Sequence, residues 1–264
     1  MGTLRVLTYV GHMVGSAIGG TITETYGTTA TFLCTAMLSC VSALLAWIYI
    51  PADTKPLRDK NKNVPKSRGI VSLSDIVRPM QTRAVAHLLG IRFSFIMANQ
   101  LILNSFPIIL RDNFEMGPQE AGMFTMYSTL ASVVLQVVLI RPLTKRYKDF
   151  PLLMLASLAL TTSYMTLTCM TENWHLYVYA ILKNFGVILR NNVVLSALSK
   201  AAPGEDTGTV MALGAMVESL TQIISPPISA YFLDHVGYQY LGATSSTITA
   251  MVTGFMLLTR EEFK

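Results

Sequence analysis

Long apolar runs separated by short polar breaks organise this chain. Runs of about twenty predominantly apolar residues fall at 4–23, 31–50, 84–109, 121–140, 151–170, 176–198, 209–233 and 240–258. The short breaks between them (ETYGT, RDNFEMGPQE, RPLTKRYKD, TENWH, SKAAPGED and DHVGYQ) collect Gly, Pro, Asn and charge, the residues that end elements and turn a chain. Most runs are apolar around their whole circumference, whereas a soluble amphipathic helix keeps a polar face. A helix needs about 20 such residues to cross the ~30 Å hydrocarbon core of a bilayer. Helix is also the form that pairs every backbone amide within its own segment. The pattern therefore predicts an all-α integral membrane protein with about eight transmembrane helices.

One connection is unlike the others. Residues 51–83 form a long polar segment that opens with charge and then turns amphipathic at Ile70, Val71, Leu73, Ile76, Val77 and Met80. That stretch predicts a short helix lying on the membrane surface, with Ser72 or Ser74 as its cap.

Composition supports the membrane reading. Of the 264 residues, 52% are hydrophobic and 13% charged, about half the charged share of a soluble domain. The net charge of +5 raises nucleic acid as a partner, but placement decides against it. If successive runs alternate in direction, sixteen of the twenty Lys and Arg share one face of the membrane, eight of them in 51–83. The opposite face receives Arg111 among Glu24, Asp112, Glu115, Glu120, Glu172 and Asp234. A basic excess on one set of loops marks the cytoplasmic side, so both termini and the linker are expected in the cytoplasm. The membrane itself, plasma membrane or endomembrane, is left open. A nucleic-acid surface would gather the same charges on one folded patch.

Two kinds of residue inside the runs carry chemistry. Gly11, Gly15 and Gly19 recur every fourth position, with Ser16 and Gly20 beside them. Small residues at that spacing let membrane helices approach closely, so this strip is expected to be a helix-packing face. Ionisable groups at bilayer depth are costly enough to need a partner or a purpose, and Arg92, Lys183, Arg190 and Glu218 qualify. Arg190 and Glu218 both lie ~21 Å from the outer ends of consecutive runs, counting ~1.5 Å per residue, which predicts an Arg190–Glu218 pair. Arg92 would then find its carboxylate outside this chain, and Lys183 would either join the buried charges or snorkel outward. Asn99, Gln100 and Asn104 extend polar character along one helix, Asn184, Asn191 and Asn192 along another, and Gln222 stands one turn from Glu218. Cys34, Cys40 and Cys169 sit in apolar surroundings without metal-ligand spacing and read as buried structural thiols. The four histidines are scattered, and no HExxH, GxSxG or phosphate-cradling glycine loop occurs. Neither an enzyme, a metal site nor a cofactor is expected.

At Gly11-x-x-x-Gly15-Ser16-x-x-Gly19-Gly20 the sequence resembles the antiporter signature of the major facilitator superfamily, with Ser16 where that family usually has proline. The stretch 141–149, RPLTKRYKD, is similar to a degraded copy of the family's loop motif and lacks its leading glycine. IPADTK at 50–55 and EDTGTVMAL at 205–213 resemble the organic-cation-transporter-like branch. The resemblance implies that residues 1–50 are the fifth and sixth helices of a twelve-helix transporter. On that register 51–83 is its central cytoplasmic loop, and 84–264 its six-helix C-terminal bundle. Such a chain would be an N-terminally truncated product or fragment, unless it is a true eight-span protein.

The resemblance also implies that the helices bearing Arg92, Lys183 and Arg190 line a central cavity, making these residues, Asn99, Gln100, Glu218 and Gln222 the candidates for substrate and coupling. Three basic groups against one acid do not fit an organic cation, so the sign of the substrate stays open. The expected function is proton-coupled antiport of a small organic solute by alternating access. The alternative is a transport-incompetent isoform that associates with the missing helices or with a full-length partner and regulates it.

Overall fold

Gly27 breaks the N-terminal helix. The computed structural model describes residues 2–49, 82–201 and 207–259. Helix α1 (Gly2–Tyr49) is regular on both sides of Gly27, whose φ of 80° and ψ of 169° are non-helical; positive φ costs glycine nothing. The bend brings the Thr23 and Thr31 hydroxyl oxygens to 2.8 Å. Eight residues of straight helix would hold them ~12 Å apart along the axis. The break expected at ETYGT is thus a sharp bend, and the runs 4–23 and 31–50 are the two arms of α1.

The other apolar runs are helices within a few residues of their expected limits. They are α2 (Arg83–Asn113), α3 (Pro118–Arg146), α4 (Asp149–Thr168), α5 (Asn173–Ala201), α6 (Thr207–His235) and α7 (Tyr238–Leu258). No strand occurs among the described residues. Six of these helices, α5 being the exception, are long and apolar enough to cross a membrane. In α5 the apolar run is diluted by Lys183, Asn184, Arg190, Asn191 and Asn192. Most of the 51–83 linker, with its amphipathic stretch and serine caps, lies outside the described residues. The stretch 141–149 is less of a loop than expected: Arg141–Arg146 is helical, and Asp149 already opens α4. Just before it, Leu135–Ile140 winds as a π-helix in which the Arg141 N–H reaches the Gln136 carbonyl. Pro142 follows at once, and its ring would crowd the carbonyl four residues back in a regular helix.

Packing follows small residues. α1 packs along α3, α4 against both α5 and α7, and α2 against α6 and α7. Between α1 and α3 the contact is at Gly20 and Gly122: a Cβ on Gly20 would lie 2.7 Å from the Pro118 carbonyl oxygen, and one on Gly122 2.6 Å from that of Ser16. Gly11, Gly15 and Gly19, expected on a helix-packing face, meet open space among the described residues. Among the described residues Gly20 alone of these glycines packs, because its neighbour Gly122 sets the register of contact. Glu24 seals the same joint, its Oε2 accepting the Gln119 backbone N–H at 2.9 Å and adding negative charge to the N-terminal end of α3.

The core lies among α2, α4, α5 and α7, around Phe95, Leu160, Tyr164, Tyr179 and Leu189, all at most 1% exposed. Hydroxyl contacts stitch it: Ser157 bonds Thr253 across α4 and α7, and Ser105 bonds Ser229 across α2 and α6. Interhelical polar contacts of this kind contribute about 1 kcal/mol each in lipid. The outer arm of α1 is the contrary case, with Phe32, Leu38 and Trp47 exposed. Cys34 and Cys40 are exposed on the same arm, and Cys169 is exposed at the end of α4, so the expectation of buried thiols is overturned. In a membrane chain an apolar position can face lipid as readily as protein.

Candidate functional site

A cavity of about 620 Å³ opens between α1, α2, α3, α5 and α6. Its walls include Arg92, Asn99 and Gln100 from α2, Asn184, Arg190, Asn191 and Asn192 from α5, and Glu218 from α6. Polar side chains gather here because each helix that reaches the cavity keeps its apolar face for its neighbours or for lipid. Arg92, Asn99 and Gln100 lie on one wall, and Asn99 Oδ1 accepts the Tyr164 hydroxyl at 3.4 Å.

The expected Arg190–Glu218 pair is not formed. Glu218 Oε2 instead pairs with Arg92 Nη2 at 3.0 Å, and Arg92 Nε also donates to the Gly214 carbonyl at 3.1 Å. Arg190, 5% exposed, donates to the Phe95 carbonyl at 3.0 Å and to Asn191 Oδ1 at 2.6 Å. Equal depth predicted that two residues could meet; which helices touch decided whether they did. α6 packs along α2 and hardly touches α5 although a short connection joins them. Asn104 Nδ2 to Ser225 Oγ at 2.9 Å continues the α2–α6 seam.

Two further expectations are corrected. Lys183 is not a cavity residue: it lies in a smaller pocket of about 200 Å³, its ammonium 5.3 Å from the Phe106 ring centroid and 5.7 Å from that of Tyr179. Its sequence neighbour Asn184 lines the cavity, and the ~100° between adjacent helix positions turns Lys183 into the neighbouring pocket. Gln222 is exposed on α6 and is not part of the cavity lining. Without Lys183 the cavity holds two guanidinium groups against one carboxylate.

Sequence reasoning missed several wall residues. Thr8, Tyr9 and His12 reach the cavity from α1, and Ser132 and Gln136 from α3. Gln136 stands in the π-helical turn and its Oε1 accepts Asn192 Nδ2 at 3.3 Å. Asn184 Nδ2 donates to the Ser128 carbonyl at 2.8 Å and hydroxyl at 2.9 Å. A glutamine and serines inside the apolar run 121–140 were the available signal. Among the described residues no cluster of His, Cys, Asp or Glu could hold a metal ion.

Residues 88–264 match the family model described as Major Facilitator Superfamily. Solute carrier family 67 member A1 of Homo sapiens is 24% identical over 96% of this chain and 60% of its own length. Solute carrier family 22 member 18 of Mus musculus is 23% identical over 96% of this chain and 62% of its own. The chain thus spans about three fifths of the curated relatives it matches. Among solved structures, a POT family transporter in complex with a thioalcohol-conjugated peptide aligns at a TM-score of 0.55, with 12% identity over 92% of this chain and 55% of that one. A mutant of the peptide transporter POT aligns at 0.54, with 14% identity over 99% and 52%. These two likenesses establish shared fold and nothing finer.

Proposed function

The chain belongs to the major facilitator superfamily, and from that premise we propose that it moves a small organic solute across a membrane by proton-coupled antiport. The observation that carries this reading is the Arg92–Glu218 ion pair in the cavity wall, Arg92 side chain 14% exposed and Glu218 48%. An intramembrane carboxylate is costly unless paired, so protonating Glu218 releases Arg92 and loosens the α2–α6 seam, while losing the proton restores both. Substrate enters the same cavity, where Arg190 has no carboxylate partner among the described residues and favours a ligand with an anionic or acceptor group. Both arms of α1 and α5 cross the bilayer in this reading, which makes eight spans. Both termini and 51–83 face the cytoplasm.

The test is solute exchange in proteoliposomes under an imposed pH gradient, with proton movement followed by an entrapped dye. Gradient-driven exchange that Glu218→Gln abolishes supports the proposal. Exchange with unchanged pH dependence in Glu218→Gln removes Glu218 as the coupling group.

A second reading is favoured by the exposed outer arm of α1 and by the open face of Gly11, Gly15 and Gly19. There the chain packs those surfaces against further helices, its own or a full-length partner's, and acts by association. Co-reconstitution separates the two: exchange that appears only with the partner supports association, and exchange by the chain alone supports the first reading.

A further inference from the structure

Lys183 and Tyr179 line a pocket between α2, α3 and α5 that shares Leu103 with the cavity assigned to transport. Tyr179 is 1% exposed and its hydroxyl has no hydrogen-bond partner among the described residues. A hydroxyl buried without a partner is costly. Lys183 carries the second signal. Its ammonium stands over the rings of Phe106 and Tyr179, and no carboxylate pairs with it among the described residues. Cation–π contact offsets only part of the cost of desolvating an ammonium group. One positive charge thus stands in an apolar, aromatic-walled space with Tyr179 in the same wall, and a single anion would pair it.

The geometry points to a binding site for a small organic monocarboxylate with an aromatic or apolar body, its carboxylate held by Lys183 and Tyr179. The remaining walls decide the body. Leu103, Phe106, Pro107 and Phe124 are apolar, the Thr125 hydroxyl donates to the Ala121 carbonyl, and the Ser128 hydroxyl oxygen accepts the Asn184 amide. A phosphate dianion would leave charge unmatched against one ammonium group. The volume of about 200 Å³ lies below the range of ~300–1,000 Å³ typical of drug-sized ligands, which suits a molecule the size of benzoate. The same chemistry, one anionic group on an apolar body, occurs in a free solute and in an anionic lipid. Binding here does not depend on the antiport reading, since neither Arg92 nor Glu218 lines the pocket.

The experiment measures benzoate binding by calorimetry to the full chain in phosphatidylcholine nanodiscs, without a pH gradient, with benzamide as the neutral isostere. Saturable benzoate binding at least tenfold tighter than benzamide supports the site, provided Lys183→Gln abolishes it and Tyr179→Phe weakens it several-fold. Circular dichroism checks that both variants keep their helices. Repeating the titration with phosphatidylglycerol in the disc identifies the source: competition means that an anionic lipid takes the same site, and no competition means that it is reserved for solute. Equal binding of benzoate and benzamide, or undiminished benzoate affinity in a folded Lys183→Gln, overturns the proposal. A protein that binds benzoate yet exchanges no protons refutes the coupling reading alone. One that exchanges protons and ignores benzoate refutes this one alone.

Discussion

Arg92 on α2 and Glu218 on α6 form an ion pair at 3.0 Å, while Arg190, at a similar depth on α5, bonds to a backbone carbonyl and to Asn191. The carboxylate therefore joins α2 to α6. A double-mutant cycle on Arg92→Gln and Glu218→Gln, read by unfolding in mixed micelles, is expected to give a coupling energy of about 1 kcal/mol. The matching cycle on Arg190→Gln and Glu218→Gln is expected near zero. Coupling concentrated in the second cycle would restore the pairing that helix depth suggested.

Glycines that look alike in sequence differ in what surrounds them. A side chain at Gly122 meets the Ser16 carbonyl, and one at Gly20 meets the Pro118 carbonyl and the α3 backbone. Backbone cannot step aside as a flexible side chain can, so Gly122→Val and Gly20→Val are each expected to destabilise by ~1–3 kcal/mol. Gly15→Val in the same chain is expected to change stability by a few tenths at most, because nothing lies within 4 Å of its Cβ position. Thermal unfolding of the three variants checks the ranking. A Gly15→Val loss equal to that of Gly122→Val would mean that the strip is covered.

The helices were legible because lipid imposes one rule on every span: about 20 apolar residues, ended by polar breaks. Even the bend at Gly27 was marked by ETYGT. The cavity was legible only residue by residue. Arg92, Asn99, Gln100, Arg190 and Glu218 were singled out because charge and amide groups are rare at that depth, and all of them line it. Partnership was not legible. Sequence gives the height of Glu218 along its helix but not which helix stands opposite, and α6 turned to α2. Lys183 was misplaced for a related reason, since neighbouring positions of α5 face two pockets, Asn184 the cavity and Lys183 the smaller one. The cysteines failed because an apolar neighbourhood does not distinguish a protein interior from a lipid-facing surface.

That ambiguity can be tested with the three exposed thiols. Cys34 and Cys40 lie along the outer arm of α1, whereas Cys169 caps α4 at the mouth of a turn. Maleimide reacts with the thiolate, which an apolar medium disfavours. In bilayers a water-soluble maleimide is expected to label Cys169 several-fold faster than Cys34 or Cys40. After solubilisation in denaturant the three rates should converge. Equal rates in the bilayer would place the outer arm of α1 in water and contradict its membrane assignment.

The side on which the basic residues lie is open to the same chemistry. Sixteen of twenty Lys and Arg fall on one set of connections, and each would have to leave water if that set were moved outward through the membrane. In a cysteine-free background, Arg58→Cys in the linker and Lys148→Cys before α4 are expected to resist an impermeant maleimide in intact cells. Glu172→Cys, one helix further on, is expected to react. Permeabilisation should make all three reactive. Arg58→Cys and Lys148→Cys must behave alike, because an odd number of crossings between them would give opposite results. Two spans, α2 and α3, separate them here, so a split between the two labels would show that one of those helices does not cross, and labelling of both from outside would invert the orientation.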